Sequence, residues 1–373
     1  MKVVHVVESM RRGGAESVVI EHVRLAAADI EVVVVALNFG GPALEAAQAA
    51  GARVHLLGKG AARLGGVRHL ASILRAERPD VVNGHNATGG LYAVAAAALA
   101  AVPVVFRTEH TIHFDGRHSV IYPWLEPLST ARSRRVVCVC EAVRDSHVRR
   151  MRWATDRFVT VNNGIATLDP ARPASEVRRA LGLLAEHVVL LSVGSLTVQK
   201  AQDVLLDAFA AVAGRHPDAR LLLAGEGPLR AALEQRIAER GLSNAVRLLG
   251  DRADVADLMA ASDGFVLSSR REGLPMTLIE AMRAGRATVS TRIGGTADAV
   301  VDGETGWLVP VGDASALAEA LECLLVDSAR RERFGAAGRQ RFLARFTAER
   351  MVRETESLYR VETALAGTAG RAA

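Results

Sequence analysis

The stretch VVLLSVGSLTVQKAQDVLLDAFAAVAGRHPDARLLLAGEGP, residues 188–228, decides the fold. Val188–Val193 is a short, almost wholly apolar run, the mark of a strand covered on both faces. Asp203–Arg215 then reads as an amphipathic helix, and Arg220–Ala224 as a second apolar strand. Strand, helix and strand in that order make a βαβ unit of a parallel sheet.

The pattern continues outward from this unit. Downstream come a helix in Pro228–Arg240, strand Val246–Leu249, helix Val255–Ala261, strand Gly264–Leu267, helix Met276–Ala284 and strand Ala287–Ser290. Upstream, strands are expected at Val3–Val7, Val32–Leu37, Val54–Leu57, Val81–Val82, Val104–Phe106 and Val136–Val139, with helices between them, one in Pro42–Ala50. Two doubly wound α/β domains follow. The turn-rich stretch Asn163–Ala185, with its Asn-Gly, Asp-Pro and Arg-Pro pairs, separates them. Residues 1–165 form the first domain and 180–345 the second. Phe342–Ala366 reads as helix.

Bulk properties agree. The 373 residues exceed what one core organises, and half are hydrophobic, a globular composition. A net charge of +5 suits anionic small molecules or an anionic membrane without requiring either. Cys138, Cys140 and Cys323 make no disulfide framework. Cys138 and Cys140 are expected on one face of a buried strand. No apolar run spans a bilayer, and the start MKVVHVVESM lacks the features of a signal peptide, so a cytoplasmic location is expected.

Chemistry concentrates in Ser268-Ser-Arg-Arg-Glu-Gly-Leu-Pro-Met-Thr-Leu-Ile-Glu280. It follows a strand and opens a helix, which puts it at the carboxyl edge of a parallel sheet, where open α/β folds bind ligands. Pro275 suits the first helical position. The amides of Met276 and Thr277 then face an anion, favoured by the helix dipole. Glu272 and Glu280 bracket that position and suit sugar and ribose hydroxyls. Lys200 also follows a strand. It is one of only three lysines, with Lys2 and Lys59, in a chain that otherwise uses Arg. A compact cation kept there fits a phosphate. Gly225-Glu226-Gly227 lacks the third glycine of a dinucleotide fingerprint, since its helix is expected to open with Pro228.

Together these motifs resemble glycosyltransferase family 4, retaining enzymes of the GT-B fold. The resemblance rests on Glu272 and Glu280 with seven residues between them in an Arg-Glu-Gly-Leu-Pro setting, Gly13-Gly14-Ala15-Glu16, Glu109-His110, Asn163-Gly164, Val193-Gly194-Ser195-Leu196 with Lys200, Gly225-Glu226-Gly227-Pro228 and Gly294-Gly295. It implies two Rossmann-like domains with a cleft between them, an acceptor-binding first domain and a nucleotide-sugar-binding second one. It also implies that a helix, 346–366, crosses back to the first. The catalytic residues it implies are His110, Lys200 and Glu272. The donor is expected on Gly14, Ser195, Lys200, Arg252, Glu272, Gly273, Leu274, Met276, Thr277 and Glu280, and the acceptor near Gly13, His85 and His113.

Ser195 stands where the resemblance expects an Arg; Arg270 or Arg271 is the candidate replacement. No cofactor and no metal are expected: Asp251, Asp254 and Asp257 read as loop and helix-start residues, not as a diphosphate–metal motif. Expected partners are a nucleotide-sugar and an acceptor hydroxyl, with a lipid-linked molecule or a glycan as its candidates, but no nucleic acid. Arg63, Arg68, Arg75 and Arg78, and Arg132, Arg134, Arg135, Arg149, Arg150 and Arg152 near Trp124 and Trp153, suit an anionic membrane or simply a solvated face. Other GT-B enzymes, an epimerase or a phosphorylase, and a non-catalytic GT-B partner are the alternative readings.

Overall fold

The computed structural model describes residues 1–11, 13–58, 64–112 and 122–371. The chain divides into two compact units, Met1–Ala166 with Thr347–Ala373, and Thr167–Phe346.

The first unit runs β1 (Lys2–Ser9), α1 (Gly14–Leu25), β2 (Glu31–Phe39), α2 (Pro42–Ala49), β3 (Arg53–Leu56), α3 (Leu64–Glu77), β4 (Val81–His85), α4 (Asn86–Ala100), β5 (Val104–Glu109), α5 (Tyr122–Arg132), β6 (Arg135–Cys138), α6 (Glu141–Arg150) and β7 (Phe158–Thr160). Its sheet is parallel, in the order β3-β2-β1-β4-β5-β6-β7. Strand direction of growth reverses between β1 and β4. Because side chains alternate along each strand, one face of β1 and β2 carries Val4, Val6, Val33 and Val35 into a core with Leu70, Leu74 and Ala93. The opposite face carries Val7, Val34 and Ala36 against Val19, Ala43 and Ala47.

The second unit runs α7 (Ala174–Ala180), β8 (Val188–Val193), α8 (Gln202–Ala213), β9 (Ala219–Ala224), α9 (Arg230–Glu239), β10 (Val246–Gly250), α10 (Val255–Ala261), β11 (Gly264–Leu267), α11 (Met276–Arg283), β12 (Ala287–Thr291), α12 (Thr296–Ala299), β13 (Gly306–Val309), α13 (Ala314–Val326) and α14 (Ser328–Arg345). Its sheet has the order β10-β9-β8-β11-β12-β13, again with one reversal, between β8 and β11. Leu190, Leu205, Phe209, Leu221, Leu321 and Phe334 are among its core residues. The last helix, α15 (Ala348–Arg371), belongs to the first unit. There Tyr359 is buried on Phe106, and Arg135 Nε donates to Glu362 Oε1 at 2.6 Å.

Several expectations are corrected. The C-terminal segment is two helices, not one from Phe342. The break lies at Phe346–Thr347, where Thr347 bridges to Ile165 and Ala348 N–H donates to the Ile165 carbonyl at 3.0 Å, which demands extended backbone. Residues after Ala166 go with the second unit, because buried Asp257 accepts from the amides of Ala171 and Arg172. Cys140 is not in a strand: β6 ends at Cys138, and Cys140 is the N-cap residue of α6, although both thiols are buried. Helix α9 starts at Arg230, not Pro228, and Pro275 is the N-cap of α11, one position earlier than expected. Strand β5 runs to Glu109, beyond Phe106, because the buried Arg107 guanidinium pairs with the Glu109 carboxylate and keeps both charges compensated in the sheet.

Candidate active site

In the second unit the loops after β8 and β11 leave the sheet on the two sides of its reversal, the position where doubly wound sheets take ligands. They are stitched together. Ser268 Oγ donates to the carbonyls of Lys200 and Ala201, both at 3.0 Å, and Gln199 Nε2 donates to the Arg271 carbonyl at 2.9 Å. Arg270 N–H in turn donates to the Gln199 carbonyl at 2.7 Å. Across this frame Lys200 Nζ donates to Glu272 Oε1 at 2.6 Å, and Ser269 Oγ donates to the same oxygen at 2.8 Å. The Lys200 stem crosses Gly194 so closely that a Cβ there would lie 3.2 Å from its Cε.

The Gly-x-Gly run has a packing role. A Cβ on Gly225 would lie 2.0 Å from the Gly194 carbonyl oxygen, and one on Gly227 2.4 Å from that of Leu196. Gly225 also has φ +144°, a conformation L side chains rarely adopt. These glycines let the 225–228 turn seat the 194–196 loop, which Leu196 N–H locks by donating to the Glu226 carbonyl at 2.9 Å. Ser195 is exposed, its Oγ 3.5 Å from that of Thr197.

Thr277, the second residue of α11, has a buried Oγ1 with no hydrogen-bond partner among the described residues, and so does the Nε of Arg270. Gly273 and Leu274 precede the helix, with Gly295 N–H donating to the Gly273 carbonyl at 2.6 Å. Glu280 lies one turn further, partly buried. Burial pushes its carboxyl up to about 7, with Arg283 pulling only weakly the other way.

Arg252 is the donor residue expected on the loop after β10. It forms a two-pronged pair with Asp254 at 2.8 and 2.6 Å, and Arg172 joins Asp254 to Asp257. Asp257 thereby ties down the 171–172 backbone, and Asp254 the Arg172 side chain. Of the two candidates to replace the missing Arg at Ser195, Arg270 reaches Asp203 at 3.2 Å and Arg271 is exposed. Lys200 is the cation placed with Glu272.

In the first unit Gly13 caps α1 in extended backbone and Gly14 starts the helix, at the carboxyl end of β1. His85 ends β4 and His110 follows β5. The structure brings them together: His85 Nδ1 lies 2.9 Å from His110 Nε2. His110 N–H also donates to Asn86 Oδ1 at 3.1 Å, with Asn86 in the left-handed conformation that Asn tolerates. A third ring went unread in the sequence: His5 Nδ1 lies 2.8 Å from His85 Nε2. His22 on α1 stacks near His5, ring centroids 5.0 Å apart. Burial depresses all four imidazoles, His22 to about 4 and His110 to about 3. His113, Lys59 and Arg63 lie outside the described residues.

Two family models match this chain: glycosyltransferase family 4 over residues 12–167 and glycosyl transferases group 1 over 174–341. Glycogen synthase of Mycobacterium tuberculosis is 31% identical over 303 residues, 76% of this chain and 69% of that protein. The chain belongs to glycosyltransferase family 4. A second relative of this glycosyltransferase is UDP-Gal:alpha-D-GlcNAc-diphosphoundecaprenol alpha-1,3-galactosyltransferase of Escherichia coli, 28% identical over 68% of each chain. The crystal structure of Anabaena HepE in complex with UDP superposes with TM-score 0.85 at 21% identity, covering 96% of this chain and 99% of that one. That likeness gives the fold, GT-B.

Proposed function

We propose that this glycosyltransferase takes a sugar from a nucleoside-diphosphate sugar held on the second unit and transfers it, with retention and without a metal, to an acceptor hydroxyl. The observation that carries the reading is the Lys200–Glu272 pair, 2.6 Å apart at the strand-order reversal and next to the start of α11. Lys200 neutralises the diphosphate as it leaves. Glu272, released from Lys200, accepts from donor-sugar hydroxyls, and Glu280 accepts from the ribose. Ser195, Gly273, Leu274, Met276 and Thr277 frame the phosphates and sugar, and Gly14 approaches the donor from the first unit's glycine turn. His110 addresses the reacting sugar, and Gly13 and His85 belong to the acceptor side.

In the transfer, the bond from the anomeric carbon to phosphate oxygen breaks and a bond to the acceptor oxygen forms on the same face. The acceptor proton passes to the departing phosphate. Fixed positive charge aimed at the leaving oxygen supplies the stabilisation. Asp254 and Asp257 are held by arginines, which supports a charge balance built on Lys200 and not on a cation bound by those acids. Activity should survive EDTA; complete loss, restored by Mg²⁺ or Mn²⁺, overturns the metal-free part. A panel of nucleotide-sugars scored for transfer and slow hydrolysis identifies the donor, and no turnover with any of them overturns the whole reading.

A lipid-linked acceptor is favoured by one surface. Helix α5 and the short 3-10 segment Arg152–Arg157 expose Trp124, Leu128 and Trp153, and Arg132, Arg134 and Arg152 in the same stretch of chain are exposed too. Exposed tryptophans with exposed arginines close by in the sequence suit the interface of an anionic leaflet. Of the other arginine group, Arg75 is spent on the Leu99 carbonyl. No helix among the described residues is long and apolar enough to cross a membrane. Binding to anionic liposomes at low salt, lost in Trp124→Ala/Trp153→Ala, supports docking there; absence of binding at low salt refutes it.

A further inference from the structure

Two hydrogen bonds end on one oxygen in the second unit. Glu272 Oε1 takes the Lys200 ammonium at 2.6 Å and the Ser269 hydroxyl at 2.8 Å. The two donors differ in kind. Lys200 carries its charge on a flexible four-carbon stem, and its side chain is 18% exposed. Ser269 reaches its oxygen through a single torsion, is 0% exposed, and gives its one O–H to Glu272.

The loop that carries both residues is held from its neighbour. The ladder between β11 and β12 ends with Leu267 opposite Ser290. Beyond that point a side chain continues the stitching: buried Thr291, the last residue of β12, donates its Oγ1 to the Ser269 carbonyl at 2.6 Å. On the other side of the acid, Gly295 N–H donates to the Gly273 carbonyl at 2.6 Å. Glu272 thus sits between two anchors, both supplied by β12 and the loop after it. A fully buried hydroxyl needs a partner, and an ionised acceptor makes the stronger bond. At Ser269 that acceptor is the Glu272 carboxylate.

We propose that Ser269, seated by Thr291, is a positioning residue that keeps the Glu272 carboxylate aimed at the donor sugar while Lys200 turns to the diphosphate. The inference rests on the roles given above to Lys200 and Glu272. A bound diphosphate is a second anion competing for the Lys200 ammonium. The carboxylate that Lys200 then gives up has a side chain only 10% exposed, so water replaces the lost donor poorly. Ser269 cannot follow Lys200, because its short side chain is buried and its carbonyl is pinned. It therefore lowers the cost of parting the ion pair and stops the acid from turning. With Oε1 fixed, Oε2, which takes no hydrogen bond among the described residues, is left for the sugar hydroxyls.

The test is a double-mutant cycle on the full chain: Ser269→Ala, Glu272→Ala and both together. Each is read by turnover with the nucleotide-sugar that the panel identifies, and by calorimetry with whichever of UDP, GDP and ADP binds the parent chain most tightly. Ser269→Ala should lower kcat by roughly 10- to 100-fold, the cost of a misplaced reacting group. It should also raise the Kd for the nucleoside diphosphate by up to about 10-fold, since Lys200 then leaves an acid with no second donor. Neither effect should appear when Ser269→Ala is added to Glu272→Ala, because Ser269 acts only through that acid. A serine that merely packs the loop would lower the melting temperature and give losses that add in the double variant; that result, or a wild-type kcat in Ser269→Ala, overturns the proposal. Thr291→Val and Thr291→Ser keep the question open to measurement should Ser269→Ala not fold. The first removes the hydroxyl at constant size and should slow transfer, and the second keeps it and should not; equal rates for the two overturn the part given to Thr291 and the seating of Ser269 with it. Full turnover in Glu272→Ala would refute the assignment of the acid, whereas an active Ser269→Ala beside a crippled Glu272→Ala would refute the positioning alone.

Discussion

Glu280 is a carboxyl that burial holds near half-protonation at neutral pH. A group whose folded pKa is raised from 4.5 to about 7 contributes stability that is complete below pH 4.5 and lost as pH rises through 7. Glu280→Gln should therefore stabilise the second unit at pH 8, by at most about 3 kcal/mol, and do nothing at pH 4.5. Denaturant titrations at both pH values check this; an equal effect at both would show that the side chain is not titrating in the fold. The same substitution removes the ribose acceptor, so a stabler protein should bind UDP more weakly. At the Lys200–Glu272 pair, removing either partner does different things. Lys200→Ala should weaken UDP binding by a charged contact, about 1.5–3 kcal/mol, and depress kcat as well. Glu272→Gln frees the ammonium and should leave UDP affinity at or above wild type while transfer collapses. Calorimetry with UDP beside turnover separates them, and parallel losses of affinity in both variants would contradict these roles. Lys200 was legible in the sequence because lysine is rare in this chain and follows a strand. His5 was not. A lone histidine in MKVVHVV looks like a core residue, and only the register between β1 and β4 shows which ring it meets. The pairing of Arg252 was not legible for a similar reason: its partner Asp254 lies two residues away, at a distance sequence spacing alone cannot convert into a two-pronged pair.

Elements were legible where burial on both faces leaves an unbroken apolar run, as in β8, β9 and β11. Their ends were not, because ends depend on partners distant in sequence. Strand β5 continues through Arg107 and Glu109, two charges that no apolar pattern would admit, since each neutralises the other. β13, with Trp307 against Phe334, was not read at all: four residues between Thr305 and Pro310 are too few to show a period. The break between α14 and α15 lies in a sequence with no Gly or Pro to announce it; the bridge to Ile165 imposes it. The Gly-x-Gly run is a dinucleotide-like spacing in the sequence, and in the fold Gly225 and Gly227 serve the approach of one loop to another. Gly227→Ala would set a methyl 2.4 Å from the Leu196 carbonyl oxygen. Backbone atoms on both sides cannot give way as a flexible side chain would, so the cost should be about 1–3 kcal/mol of stability in the second unit. It should also displace the 194–196 loop, raising the KM for the donor. A thermal melt and donor kinetics check both effects, and a wild-type melting temperature would show the turn to be looser than its geometry indicates.

The whole molecule consists of two units whose sheets share one order over six strands, the first adding a seventh, and whose buried titratable groups predict opposite responses to mild acid. The first buries four histidines as neutral rings, His5, His22, His85 and His110, all depressed by burial. For a histidine whose folded pKa lies below the unfolded 6.5, stability is complete above pH 6.5 and lost as pH falls toward the folded value. At pH 5, His22 and His110, at about 4 and about 3, each cost the fold about 2 kcal/mol. Glu16 and Glu356 in the same unit shift upward and oppose this, but less strongly. The second unit has Glu280, which moves the other way: as pH falls from 7 to 4.5 its protonation is more favourable in the fold than in the unfolded chain, and the unit gains. The carboxylates that ion pairs depress there, Asp254, Asp257 and Glu322, do not lose their contribution until the pH falls below their ordinary range. Between pH 7.5 and 5 the first unit should therefore weaken while the second holds or strengthens. Hydrogen exchange read peptide by peptide distinguishes them, because protection in the sheet core reports the opening free energy of each unit. After correction for the intrinsic pH dependence of exchange, peptides spanning β1, β4 and β5 should lose protection at pH 5, and those spanning β8, β9 and β11 should not. The quadruple dependence can be reduced to one ring: His22→Leu, which replaces a buried imidazole by a side chain that cannot charge, should shift the acid midpoint of the first unit downward. If both sheets lose protection together, acid acts through a term shared by the whole chain, such as net charge, and the buried histidines are not what limits it.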